Sequence, residues 1–305
     1  MFGSSDPRWT DPRERAREVP DPRDEDWLDS RDAFTQGLDL PRGLDRERVF
    51  VDDDHYDLRG SEIRTIATVG AFRAVPLDDL RDPRERSAYV WRDELRHLRS
   101  AGLLRSVAPL DRDDRRTTVV TLTDRGRELL ERHRAPDLDS RQQFYSGVGR
   151  ERELSHDAHL YAAYLREAER LRARDAHVHR VVLDHELKRD YQRFLQERNR
   201  DRPDSNGRPD RTRDEISQWA HTHDLMVLDE HVRFPDLRLE YELPDGRRDF
   251  VDVEVTTAHY RGAHALGKAR AGFTSYRVRG ARVGGRVSGR RGSLYEPGLA
   301  EEFLQ

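Results

Sequence analysis

The chain has 305 residues, 38% charged and 34% hydrophobic, which allows one large or two medium domains and predicts that part of the length does not pack. Its 56 Lys plus Arg against 60 Asp plus Glu give a net charge of −4, so it is not uniformly basic and any nucleic-acid surface must be local. Zero cysteines exclude disulfides and thiolate metal sites; no apolar run approaches the roughly 18 residues of a membrane helix and no signal peptide opens the chain, so a soluble, cytoplasmic protein without a membrane partner is expected.

Residues 1–58 repeat Asp-Pro-Arg and hold few apolar residues, which predicts a disordered arm. From there the pattern changes. SEIRTIATVGAF predicts a helix with Ser61 as N-cap and Ile63, Ile66, Ala67 and Gly70 at helical spacing. VPLDDL suggests a short second helix. RERSAYVWRDELRHLRSAGLL predicts a third, with Val90, Leu95, Leu98 and Leu103 as its apolar series and Gly102 closing it. LLRSVAP and TTVVTLT read as strands around the charged turn LDRDDRR, and TDRGRELLERHR as a final helix capped by Thr123.

Helix, helix, helix, strand, loop, strand is a winged helix-turn-helix order, expected over residues 59–134. The run Leu95-x-x-Leu98-x-x-x-Gly102-Leu103-Leu104, the Asp-Arg-Arg wing and Leu122-Thr123-x-x-Gly126 resemble the MarR-like winged helix family over residues 60–133. The resemblance implies duplex DNA as partner, with a homodimer left open. The third helix would enter the major groove and present Arg84, Arg86, Ser87, Tyr89 and Arg92. Arg112, Arg115 and Arg116 of the wing would meet phosphates or the minor groove, although Asp111, Asp113 and Asp114 dilute their charge.

Residues 135–155 read as a linker and 156–283 as an α/β domain, with a flexible tail over 284–305. HDAHLYAAYLREAERLRARDA predicts an amphipathic helix, VHRVVLD a buried strand and HELKRDYQRFLQERN a helix. DRPDSNGRPDR is a loop, and in TRDEISQWAHTHDL Thr212 and Glu215 form a capping box. Next comes alternation: Leu237, Leu239, Tyr241 and Leu243 on one strand, Val251, Val253 and Val255 on the next. Pro244-Asp245-Gly246 suits a three-residue hairpin loop, because Gly246 can take the position at positive φ. If Leu243 pairs with Arg247, Leu237 faces Val253 and Leu239 faces Val251. A two-residue loop would put Asp252 on the apolar face, so the odd loop is expected. That register sets Asp236 opposite Glu254, two carboxylates that repel unless a proton or cation sits between them.

Among so many arginines there are only two lysines, Lys188 and Lys268, and the second falls in HALGKARAGFTSY, which reads as a helix after the hairpin. Arg277 to Ser293 carries six arginines without an acid, a run that is solvated or tracks phosphates. Helix, strand, Pro235-Asp236 strand, Glu254 strand and helix resemble the core of the PD-(D/E)XK nuclease superfamily. The resemblance implies Mg²⁺ held by Asp236 and Glu254, and a catalytic lysine two residues after the Glu. Thr256 occupies that position, so Lys268 is the expected substitute, with Glu215 or Glu186 completing the site.

A winged helix joined to this pattern, with His156-x-x-His159-Leu160, Pro235-Asp236-Leu237-Arg238, Glu254, Lys268 and Tyr276, resembles the replication-relaxation family of plasmids and mobile elements. The fold class expected is therefore α+β: a winged helix-turn-helix followed by a PD-(D/E)XK nuclease-like domain. The function implied is DNA binding in replication or relaxation, with metal-dependent endonuclease or nickase activity as the enzymatic expectation. The alternative is a non-catalytic MarR-like regulator whose C-terminal domain mediates assembly. The pairs His221-x-His223, His177-x-His179 and His156-x-x-His159 lack a zinc-site pattern and read as scattered, mostly exposed histidines.

Overall fold

The computed structural model describes residues 30–80, 88–112, 115–135, 142–147, 154–200, 209–256, 272–277 and 282–284. From residue 30 onward the expected arm is ordered. A 3₁₀ turn at Ser30–Phe34 buries Phe34 against Phe72 and Tyr164, with ring centroids 5.5 and 5.3 Å apart. β1 (Glu47–Val51) and β2 (Asp54–Leu58) pair antiparallel around a tight Asp52–Asp53 turn, with Asp52 at φ 49. Val49, Val51, Tyr56 and Leu58 point inward from this ribbon. Composition averaged over 58 residues hid that short alternation.

α1 (Gly60–Phe72) starts two residues earlier than expected, with Arg59 rather than Ser61 as its N-cap. Glu62 accepts the Arg59 backbone N–H at 3.2 Å. Gly60 is required there, since a Cβ would lie 2.3 Å from the Arg42 carbonyl oxygen. VPLDDL is not an α-helix. Val75–Pro76 forms β3, and Leu77–Leu80 a 3₁₀ turn. β3 lies at a sheet edge, where proline is tolerated. α2 (Ala88–Ser100) follows, and Gly102 at φ 71 ends it. β4 (Leu104–Arg112) and β5 (Arg115–Leu122) make the long hairpin of a three-stranded sheet in the order β3-β5-β4. α3 (Asp124–Arg132) is capped by Thr123, whose hydroxyl oxygen accepts from the Gly126 N–H.

The expected linker is partly built into the fold. Phe144 is buried, the Tyr145 N–H donates to the Gly70 carbonyl at 2.8 Å, and the Gln142 amide bonds both the N–H and the C=O of Val181. Then come α4 (Leu154–Arg172), β6 (His177–Leu183), α5 (Asp184–Gln196) and α6 (Arg213–Thr222). The LMVLD run supplies β7 (Met226–Leu228), which pairs with β8 (His231–Arg233) in a separate ribbon. β9 (Leu237–Glu242), β10 (Arg248–Thr256), β11 (Thr274–Arg277) and β12 (Arg282–Gly284) complete a five-stranded sheet in the order β12-β11-β10-β9-β6. β11 runs parallel to β10, so the stretch ending at Tyr276 is a strand and not the end of a helix.

One hydrophobic core runs from Ala33 to Tyr276. Phe72 of α1 packs on Tyr161 and Tyr164 of α4, each 5.1 Å away. Leu154 and Ala158 of α4 pack with Ala74 and Val119. The boundary expected at 135–155 therefore crosses a shared interior. The class is mixed α+β.

Candidate functional site

The β9–β10 hairpin has the odd loop. Leu243 donates to and Gly246 closes the turn: the Leu243 N–H reaches the Arg247 carbonyl and the Gly246 N–H the Leu243 carbonyl, both at 2.8 Å, with Gly246 at φ 78. Leu237 pairs with Val253 and Leu239 with Val251. Pairing of these two strands ends at Leu237 and Val253, with Asp236 just before β9 and Glu254 one residue beyond Val253 on β10. The Val255 N–H donates to Asp236 Oδ2 at 2.9 Å. Both acids are withdrawn from solvent, Asp236 at 8% and Glu254 at 1% exposure.

A partner for Asp236 comes from eighty residues upstream. His156, in the first turn of α4, places Nε2 3.2 Å from Asp236 Oδ2 and Nδ1 3.7 Å from Asp157 Oδ1. Asp157 in turn lies 3.5 Å from Arg73 Nη1. Arg73 closes α1 at φ 64, an uncommon conformation for a residue with a side chain. Burial opposes a charge on His156, but the hydrogen bonds and charges of Asp157 and Asp236 outweigh it and raise its pKa to about 10. The imidazolium is thus the cation beside Asp236. The series Arg73–Asp157–His156–Asp236 alternates in sign from the first sheet layer to the second.

α5 begins beside the same place, since the Asp184 N–H donates to the Asp236 carbonyl at 3.1 Å. Lys188, one turn into α5, is tied to Asp184 at 2.6 Å. Neither acid expected from a leading helix joins the pair. Glu186 is buried with Arg180 and Tyr145, and burial raises its pKa; Glu215 serves its own capping box and Arg198. The Thr256 hydroxyl donates to the Tyr276 carbonyl at 3.2 Å, and the Tyr276 hydroxyl donates to Glu167. Lys268 lies outside the described residues.

Hard oxygen donors such as Asp236 and Glu254 suit Mg²⁺, which uses one or two carboxylates and completes its shell with water and phosphate. Among the described residues no group of three or more His, Asp or Glu side chains is arranged around a metal position. The donor set therefore fits Mg²⁺ in kind, with Asp236 also engaged by His156. His156 and His159 are not the exposed residues the sequence suggested: His159 is buried and His156 half-buried.

Of the residues expected to meet DNA, Arg92 is exposed on α2. Tyr89 lies in the first turn of that helix, while Arg112 pairs with Arg115 and Asp111 with Arg116 at the tip of the β4–β5 hairpin. Arg84, Arg86 and Ser87 lie outside the described residues. No family model matches this chain, and neither does any curated protein or solved structure.

Proposed function

We propose that this chain is a DNA-binding protein of a plasmid or mobile element, acting in replication or relaxation, with a winged-helix reader and a PD-(D/E)XK-like site that cuts or nicks DNA. The observation that carries the reading is the burial of two acids, Asp236 and Glu254, at one end of the β9–β10 hairpin, where the Val255 N–H donates to Asp236. Two carboxylates withdrawn from water need compensating positive charge; the His156 imidazolium supplies part of it at Asp236, and a metal ion held by both acids would supply the rest. The order of elements from α1 to α3, with β3, β4 and β5 in one sheet, supports the reader. Arg92 on α2 and the arginines of the β4–β5 tip supply its charge.

In this reading Asp236 and Glu254 hold Mg²⁺, and His156 orients the Asp236 carboxylate through Nε2. Held there, Mg²⁺ would supply a water of lowered pKa and offset charge developing on the scissile phosphate. Lys268 would take the part that the superfamily resemblance assigns to a lysine at the position of Thr256. Arg cannot replace it, because a guanidinium stays protonated and has a different donor geometry.

The test is plasmid nicking in Mg²⁺ or Mn²⁺. Wild type converts supercoiled to open-circular DNA; Asp236→Asn and Lys268→Arg lower the rate at least a hundredfold, while duplex binding by Asp236→Asn is unchanged. Arg92→Ala and Arg116→Ala weaken that binding and each flatten its salt slope by about 0.9. Supercoiled plasmid left intact by a wild-type protein that binds no divalent ion would refute the catalytic half. A second reading, a non-catalytic regulator, is favoured by one specific feature: the lysine position holds Thr256, whose hydroxyl is used on Tyr276.

A further inference from the structure

An open groove of about 880 Å³ lies between α2 and β4. Leu95, which is buried, and Trp91, which is partly buried against the core, give it an apolar wall. Arg92, Arg96 and Arg99 line it from α2, at positions i, i+4 and i+7 that form one helical stripe, and Arg105 lines it from β4. Only Arg96 has an acidic partner, Asp93 at 2.6 Å, and that pair is exposed. Arg92, Arg99 and Arg105 make no ion pair among the described residues, and the Trp91 indole N–H has no acceptor there. Asp78 also lines the groove, so four guanidinium groups stand against one lining acid and the cleft is net positive; an anion spanning the arginines lowers their mutual repulsion.

The shape selects which anion. A duplex offers its phosphates on a convex surface with the bases stacked inside, so protruding side chains reach it and a cleft does not. An unstacked base has a free π-face that an indole can cover, while the phosphates beside it run along a basic rim. We propose that this groove binds an unpaired nucleotide of a single-stranded nucleic acid, its base against Trp91 and Leu95 and its phosphates on the arginines. This goes beyond duplex binding by the reader and does not depend on cleavage at Asp236. A protein that acts where strands separate would use it to hold the exposed strand.

Fluorescence anisotropy of a labelled oligothymidine of about twelve nucleotides tests the assignment on the full-length protein. Binding is expected, with Trp91→Ala weakening it about tenfold at constant salt slope. Combined Arg99→Ala and Arg105→Ala flattens the slope of log K against log salt by about 1.4, roughly 0.7 for each phosphate contact to a single strand. Arg127→Ala, on α3 outside the groove, changes neither. Should Trp91→Ala fail to fold, Trp91→Phe and Trp91→Leu decide, since only the aromatic replacement retains affinity. Three outcomes overturn the proposal: affinity unchanged in the Trp91 variants, tighter binding of the matched duplex with the same residue dependence, or displacement of the strand by free dTMP at equal nucleotide concentration. Loss of nicking or of duplex binding leaves these measurements untouched, so the two readings fail separately.

Discussion

Glu62 and Asp236 are both buried acids served by a histidine, yet their surroundings differ in kind. Glu62, fully buried in α1, takes Arg46 through both oxygens at 2.6 and 3.2 Å, the Arg59 N–H at 3.2 Å and His97 at 2.9 Å. Its neighbour Glu94 takes Arg59 at 2.6 Å and the Ser61 hydroxyl. Permanent cations and a backbone donor close that cluster. Around Asp236 stand a backbone donor from β10 and a titratable imidazolium. Guanidinium groups fix a carboxylate for good, whereas a histidine can give up its place to another cation. The first arrangement serves stability; on the proposed reading, the second is where a metal ion would take its place.

The largest expected effect breaks the first cluster. Glu62→Gln removes the anion that Arg46, His97 and the Arg59 N–H serve and should cost about 2 kcal/mol of unfolding free energy, while Glu254→Gln should cost no more than about 1 kcal/mol. Urea denaturation of the two variants checks the contrast; equal losses would erase it.

The pH dependence sharpens it next. The partners of Glu62 hold its pKa below the usual carboxylate value of 4.5 against the opposing effect of burial. It therefore contributes stability above that value, lost as pH falls through the depressed one. His156 is raised from 6.5 to about 10. Its contribution is complete below 6.5 and disappears as pH rises through about 10. Thermal melts should show Glu62→Gln flattening only the acid limb and His156→Gln only the alkaline limb.

How far this contrast could be read in advance depended on distance along the chain. The hairpin was legible because the period-two pattern and the Pro244-Asp245-Gly246 loop are local, and together they leave one register. The partner of Asp236 was not. His156 stands beside an ordinary helix start, and only the docking of α4 on the first layer brings it to β9. Residues 30–58 were missed for a related reason: Phe34, Leu38 and Leu40 are isolated apolar residues in a charged stretch, all buried, Phe34 by contacts with Phe72 and Tyr164 that no local pattern contains. The Val49, Val51, Tyr56, Leu58 alternation was the available signal there.

The smallest effect concerns the loop that holds the acid pair in register. Gly246→Ala, at φ 78 with open space around it, should cost about 1 kcal/mol through backbone strain alone. Nicking at temperatures well below the melt should be unchanged, since the facing residues stay paired. A larger loss of stability would mean that the turn does more than set the register.

Gln142 bears on self-association. β6 is the outer strand of its sheet, and a bare outer strand invites the same strand of another copy to add on. The Gln142 side chain has the donor and acceptor of a peptide group, and it occupies the N–H and C=O of Val181 at the middle of that edge. A single amide thus gives that edge the pairing a neighbouring strand would supply, without lengthening the sheet by a strand.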